Sequence, residues 1–283
     1  MRVKGISDMI TVQLNGGLGN QMFQYSAGRA VSLQHNVPLA LDITYCKRNQ
    51  ARPYKLCNFK VAGEVVEESP LIIKLKSILN PQSLFKEQSF YYDPSILDCH
   101  DDVYLQGYWQ SEKYFRGIEK IIREDLTLSE EPDYRNQQMI DKIRNCEAVS
   151  LHIRRGDYVS NPETTAYHGI CSEEYYRGAV SKLENYVKNP HFFVFSDDPS
   201  WVKEILDIRH STTIVDFNGS EKDYEDMRLM SLCKHHIIAN SSFSWWGAWL
   251  SNNPQKIVVA PKQWFNKPDI KTQDLIPGTW FRL

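Results

Sequence analysis

Between Val149 and Val259 the chain changes hydrophobic period over and over. Short runs rich in Val, Ile, Phe and Thr stand at Val149–Ile153, Phe192–Phe195, Thr213–Val215, His236–Ala239 and Ile257–Val259. Helical stretches lie between them, at Ser172–Val187, Pro199–Leu206, Tyr224–Leu232 and Ser242–Leu250. Strands joined by helix-length connections pair in parallel, since a tight turn can only return the chain antiparallel. The pattern predicts a doubly wound α/β unit, in which ligands sit at the carboxyl ends of the strands.

The first half follows a looser version of the same plan. A strand is expected at Ile10–Leu14, a glycine turn at Asn15–Asn20, a helix over about 21–34 and a strand at Pro38–Asp42. Ile43–Pro94 reads as irregular apart from one helix near Leu71–Leu79. Strand Val103–Gln106 and a helix over Ser111–Asp125 follow. The polar, proline-containing stretch Ser129–Asp133 is the best linker. The expected domains are therefore 1–133 and 134–283, both Rossmann-like. Two such halves facing one another across a cleft make the GT-B arrangement of nucleotide-sugar transferases.

At 283 residues and 42% hydrophobic content, the chain can bury cores for two ordinary domains. A net charge of −2 implies no general attraction to nucleic acid or to an anionic membrane, so any anion site must be local. The six cysteines (Cys46, Cys57, Cys99, Cys146, Cys171, Cys233) include no Cys-x-x-Cys pair, which speaks against a zinc site and a disulfide framework. No secretory h-region opens the sequence, and no apolar run approaches the length of a membrane span. A cytoplasmic protein is expected, a setting compatible with peripheral attachment at the inner face of the membrane.

Four unusual stretches each fall just after an expected strand: Asn15–Gln21, His152–Tyr158, Ser196–Asp198 and Asn240–Trp246. In the first, Gly16-Gly17-Leu18-Gly19 lets backbone approach a ligand and opens a helix whose amides point outward. Met22 stands where a dinucleotide fingerprint needs its third glycine, so the turn alone fits tight packing as well as it fits a ligand. The amides of Asn15, Asn20 and Gln21 suit sugar hydroxyls or a phosphate edge. In His152-Ile-Arg-Arg-Gly-Asp-Tyr-Val159, the two arginines point to opposite sides of an extended chain. One can grip an anion, for which a guanidinium fork matches pyrophosphate, while the other pairs with a structural carboxylate. Asp157 either orients that arginine or acts as a base. Read instead as an adhesion tripeptide, Arg155-Gly156-Asp157 would require secretion, for which nothing in the sequence speaks.

Ser196-Asp197-Asp198 offers carboxylates to the N–H groups of a purine, or a cap to the helix that starts at Pro199. Ser241 and Ser242 are N-cap residue types whose hydroxyls, with the amides beyond them, form a phosphate cradle. Of Trp245, Trp246 and Trp249, at least two belong to the core. No Asp-x-Asp metal motif occurs. An enzyme handling a nucleoside diphosphate without metal must neutralise it with arginine and helix N-termini. The adjacent Tyr108 and Trp109 can stack on a sugar face, which leaves a glycan-binding module as the non-enzymatic reading.

Together these stretches resemble the bacterial α-1,2-fucosyltransferases of glycosyltransferase family 11. The resemblance is carried by NGGLGNQMFQYSAGRA (Asn15–Ala30), LQGYWQSEKYF (Leu105–Phe115), HIRRGDYV (His152–Val159), FSDDPSWVKE (Phe195–Glu204) and NSSFSWWGAWL (Asn240–Leu250). It implies a GT-B fold, GDP-β-L-fucose as donor, no metal or other cofactor, and inverting transfer to the 2-hydroxyl of a galactose-terminated oligosaccharide, as in O-antigen biosynthesis. The first domain would take the acceptor and the second the GDP-fucose. By the same resemblance Arg154 grips the β-phosphate, and His152 with Asp197 or Asp198 contacts guanine. Ser241, Ser242, Phe243 and Ser244 face the phosphates; Gly17, Gly19 and Asn20 complete the donor side, with Asn20 close to the reacting centre. Asp157 is the first candidate base and His168 the second, while Asn15, Gln21, Trp109 and Tyr158 are assigned to the acceptor. Another GT-B transferase with a different nucleotide sugar or linkage is the alternative.

Overall fold

The computed structural model describes residues 8–156, 159, 161–205, 208–267 and 269–283. The chain forms two compact units: residues 8–129 with Lys271–Leu275, and Glu130–Ile270 with Ile276–Leu283. Each unit has its own parallel sheet.

In the first unit β1 (Ile10–Gln13) lies at the centre, buried along its whole length. It pairs in parallel with β2 (Leu39–Asp42) on one side and β5 (Val103–Gln106) on the other; β3 (Glu64–Val66) and β4 (Leu84–Lys86) form the edges. The helix α1 (Leu18–His35) lies against β1. A Cβ on its Gly28 would come within 3.0 Å of the Val12 side chain, so glycine is what lets helix and strand approach. This helix starts earlier than expected, because Gly17 takes an extended conformation and serves as its N-cap. The helix expected near Leu71–Leu79 forms as α3 (Pro70–Leu79), while the short helix α2 (Thr44–Arg48) and both edge strands come from the stretch that reads as irregular. Strands of three residues are too short for a period to show. The single helix expected over Ser111–Asp125 does not form. Two 3₁₀ turns, Glu112–Tyr114 and Arg116–Ile118, precede α4 (Glu119–Asp125). Gly117 is a poor helix former, and the break lets the neighbours Tyr114 and Phe115 both enter the core.

In the second unit the strand order is β11-β10-β9-β6-β7-β8, all parallel, with β6 at Glu147–Ile153, β7 at Pro190–Ser196, β8 at Ser211–Val215, β9 at His235–Ile237, β10 at Val258–Ala260 and β11 at Phe281–Arg282. The chain runs outward from β6 to β8 and then returns to place β9 on the other side of β6. That reversal makes a topological switch point between β6 and β9. Alternation along β6 builds two cores. Val149, Leu151 and Ile153 pack with Tyr176, Ala179 and Leu183 of α7 (Glu173–Glu184) on one face. Ala148 on the other face belongs with Phe193, Phe195, Ile140 and Ile143 of α5 (Tyr134–Arg144), and Leu229 and Met230 of α9 (Asp223–Leu232). Two further helices, α8 (Pro199–Ile205) and α10 (Ser242–Leu250), follow β7 and β9. Neither α6 (Pro162–His168) nor β11 is anticipated by the sequence pattern.

Candidate active site

The register of β6 against β7 sets the centre of the second unit's carboxyl edge. Seven consecutive residues pair, ending with His152 beside Phe195 and Ile153 beside Ser196. Arg154 therefore emerges next to Asp197, and its Nη1 lies 2.8 Å from Asp197 Oδ2. The other oxygen, Oδ1, accepts the Arg155 amide at 2.8 Å. A Cβ on Gly156 would sit 2.7 Å from Asp197 Oδ2, which explains a glycine at that position. Arg155 Nε bonds Asp198 Oδ2 at 3.2 Å, and its guanidinium lies 4.3 Å from the Trp201 ring centre. Asp198 also accepts the Trp201 amide at 3.1 Å, capping α8. The adjacent arginines thus divide their work. Arg155 is held by Asp198 and stacked on Trp201, while Arg154 pairs with Asp197; the two side chains are about equally exposed, at 21 and 23%.

Both aspartates assigned to guanine are engaged within the unit: Asp198 caps α8 and pairs with Arg155, and Asp197 pairs with Arg154 and accepts the Arg155 amide. Asp197 orients both arginines. Asp157 and Tyr158 lie outside the described residues.

His152 is buried, with its ring centre 5.6 Å from that of Phe243 in the first turn of α10. Burial pushes its pKa down to about 4, with Asp197 pulling the other way and Arg154 adding to the depression, so the ring is neutral at neutral pH. Its Nδ1 has no hydrogen-bond partner among the described residues. A buried ring nitrogen without a partner is uncommon, and here it lies beside the switch point.

Past β9, Asn240 Nδ2 donates to the carbonyls of His168, Gly169 and Trp264 at 2.9, 3.3 and 3.2 Å. Asn240 therefore ties the end of α6 to the tip of β9. It also brings along His168, whose ring packs against Phe265. Ser241 is the N-cap of α10, and its side chain does not cap the helix. A helix leaves its first amides without intrahelical acceptors, so this terminus suits an anion. Ser244 departs from expectation: its hydroxyl is fully buried and bonds to Ser241 O at 3.2 Å and Ala239 O at 3.4 Å. The cradle reduces to Ser241, Ser242 and Phe243. Trp245, Trp246 and Trp249 are all buried and pack on one another.

At the carboxyl edge of the first unit, a chain of polar groups crosses three strands. Asn15 Nδ2 donates to Gln13 Oε1 at 3.4 Å, Gln13 Nε2 to Tyr104 Oη at 3.3 Å, and Tyr104 Oη to Asp42 Oδ2 at 2.5 Å. Burial first, and the Asp42 carboxylate second, hold the Tyr104 phenol protonated. In the glycine turn Gly16 has φ +76, and a Cβ there would lie 2.6 Å from Asn20 Nδ2. Asn20 Oδ1 accepts from Gln110 Nε2 at 2.8 Å. Arg52 also approaches this turn, with Nη1 3.7 Å from where a Gly17 Cβ would be. It comes from the irregular stretch, and no sequence signal marks it.

Three assignments in this unit are corrected. Gln21 is fully buried, donating to Gly16 O and Pro53 O at 3.0 and 2.8 Å and accepting from Lys55 N at 3.0 Å; it locks the loop rather than meeting a sugar. Trp109 is 0% exposed, with its ring against Phe85 and Tyr114. The exposed ring of the aromatic pair is Tyr108. Gly19 is buried in the first turn of α1. Asn15, Gly16, Gly17 and Asn20 remain at the surface of the turn.

The two glycines should respond differently to alanine. Gly16→Ala forces a side chain into left-handed backbone and onto Asn20, at a cost of about 1–2 kcal/mol. At the N-cap, where Gly17 has φ −75, alanine meets only an ordinary contact. Thermal melts should show a clear drop in Tm for the first variant and little change for the second. Equal melting temperatures would contradict this account of the turn.

A switch point flanked by an arginine, a neutral histidine and a helix start has the chemistry to receive an anionic ligand at the carboxyl edge of a parallel sheet. Residues 1–283 match the family profile of glycosyl transferase family 11, and the chain belongs to that family. It is 36% identical over 291 residues to an α-1,2-colitosyltransferase of Escherichia coli, covering 97% of this chain and 99% of the relative. A second relative, the O-antigen biosynthesis glycosyltransferase WbnK of Escherichia coli, is 32% identical over 300 residues, covering 89% of this chain and 93% of its own length. Among solved structures, the α-1,6-fucosyltransferase NodZ soaked with GDP-fucose superimposes with a TM-score of 0.54 at 13% identity, over 90% of this chain and 95% of that one. The fold is accordingly of GT-B type, and the protein is a glycosyltransferase. Among the described residues no group of three or more His, Cys, Asp or Glu is placed to hold a metal ion, and no helix is long and apolar enough to cross a membrane.

Proposed function

We propose that the chain transfers L-fucose from GDP-β-L-fucose to the 2-hydroxyl of a terminal galactose on a glycan, with inversion and without metal, in a cytoplasmic setting. The observation that carries this reading is Arg154 beside the switch point that also holds the start of α10. A forked cation and a helix N-terminus are what a diphosphate leaving group needs where no metal neutralises it. The α-1,2 linkage is supported by the 36% identical colitosyltransferase, and the guanosine donor by the ligand of NodZ.

In the reaction, acceptor O2 forms a bond to fucose C1 as the bond from C1 to the β-phosphate oxygen breaks on the opposite face. The electron pair of that bond moves onto GDP. Arg154 and the amides of α10 stabilise the charge that grows there, more in the transition state than in the ground state. Asp197 holds Arg154 in position. His152 offers Nδ1 to the nucleotide as a neutral group. Asp157 takes the proton of O2 in this scheme. Asn20 serves the donor side close to the reacting centre, and Asn15 supplies an amide group for the acceptor.

A second reading keeps the linkage and changes the sugar. Colitose is L-fucose lacking its 3-hydroxyl, and a relative at 36% identity bears that specificity in its name. GDP release should be followed with GDP-L-fucose, GDP-colitose and GDP-mannose across a panel of galactosides, with and without EDTA. Turnover of GDP-fucose that requires terminal galactose and survives EDTA is expected. Preferred use of GDP-colitose would reassign the donor, and loss in EDTA would sink the metal-free scheme. Glycan binding without any GDP release would make the protein a binding module instead.

A further inference from the structure

The helix α3 departs from the rule that apolar helix residues face the core. Leu71, Ile72, Leu75, Ile78 and Leu79 expose between 49 and 78% of their surface, and none of the ten residues of α3 is buried. With 3.6 residues per turn, these five side chains fall within an arc of about 120°. Pro70, Ile73 and Ser77, the half-buried positions, lie on the opposite side. Lys74 and Lys76 flank the apolar arc, one on each border, and both are exposed. From Ser69 to Lys86 the sequence holds three lysines and no aspartate or glutamate. Neither flanking lysine makes an ion pair with an acidic side chain of the described residues.

We propose that α3 docks the protein on an anionic lipid bilayer, its apolar arc entering the boundary between headgroups and acyl chains. A contiguous exposed apolar stripe marks a contact surface. What selects a membrane over a protein partner is the border: aliphatic lysine stems run along the stripe while their ammonium groups reach the lipid phosphates on both sides. At about 15 Å the helix is far too short to span a hydrocarbon core of about 30 Å, so it lies in the surface plane. A net charge of −2 for the whole chain gives no general attraction, which makes the acid-free segment the site of attachment. The proposal does not rest on the donor or the linkage.

The test is co-sedimentation of the full chain with vesicles of phosphatidylglycerol and phosphatidylethanolamine, and separately with vesicles of phosphatidylcholine alone. Wild type should sediment with the anionic vesicles, less so at high salt. Leu75→Glu/Ile78→Glu and Lys74→Glu/Lys76→Glu should each lower the partition coefficient at least tenfold, with unchanged far-UV dichroism and melting. These positions are exposed, so both variants should fold. Wild type that stays in the supernatant, or variants that bind as well as wild type, would overturn the proposal. So would a wild-type dimer that Leu75→Glu/Ile78→Glu makes monomeric in the absence of vesicle binding, since the face would then join copies of the chain.

Discussion

Arg154→Ala should lower kcat for GDP release by roughly 10²–10³, the range seen when one preorganised donor to a developing negative charge is removed. Its fold should survive. The Arg154–Asp197 pair is partly exposed, with side chains 23 and 27% accessible, and Asp197 keeps its bond to the Arg155 amide. A stability loss of about 1 kcal/mol is the most such a pair should show. Arg154→Lys should recover only part of the rate, because a point charge on a flexible stem lacks the fork that matches two phosphate oxygens. The ratio of effects locates the interaction. If Arg154 bound ground state and transition state alike, KM for the donor would rise with kcat unchanged. A fall in kcat is what stabilisation of the leaving group requires. A folded Arg154→Ala protein with undiminished turnover would remove Arg154 from the centre of the mechanism. Asp197→Asn serves as the companion variant: it leaves the guanidinium in place but loosens its hold, so a smaller loss, on the order of tenfold, should follow.

The parts of this site legible in the sequence are those fixed by neighbours along the chain. The strand-tip position of the HIRRGDYV stretch follows from the apolar run before it, and the two consecutive arginines take different carboxylates, Asp197 and Asp198, just beyond the end of β6. The helix at Ser242–Leu250 has the bounds its residue pattern implies. What the sequence hides is who meets whom across the fold. The cap that Asp198 gives α8 is among the sequence readings, but that the same carboxylate holds Arg155 depends on the register of β6 against β7. Trp109 and Gln21 look like sugar-binding residues by type, yet Trp109 packs on Phe85 and Tyr114, and Gln21 bridges Gly16, Pro53 and Lys55. Long-range partners decide both cases. Composition also fails at α3, where five apolar residues on a helix suggest core and the fold leaves them outside.

Asp226→Asn should make the protein more stable at pH 8, by roughly 3–4 kcal/mol, and by nothing below about pH 4. Asp226 lies in the first turn of α9, and burial pushes its pKa up to about 7, helped by Asp223 and Glu225, while a hydrogen bond from Asn218 at 2.7 Å opposes the rise. The sign follows from proton counting. Between the ordinary carboxyl pKa near 3.8 and the folded value near 7, the native state holds a proton that the unfolded chain has released. Stability therefore falls as pH rises through that window, and above pH 7 the full cost of a buried carboxylate is present. Asparagine mimics the protonated form and can still accept the Asn218 hydrogen bond, so it escapes the cost. Histidines act in the opposite sense. His152, depressed to about 4, and fully buried His236, held well below its ordinary value by burial, take up protons on unfolding and lower stability as pH drops from about 6.5. They are common to both proteins, so subtracting the wild-type curve from the variant curve cancels them and leaves Asp226 alone. Denaturant melts at half-unit steps from pH 4 to pH 8 supply that difference curve. A flat difference would mean that Asp226 ionises in the folded protein as an ordinary carboxyl does, and a variant less stable than wild type at pH 8 would mean that the charge is needed by the fold.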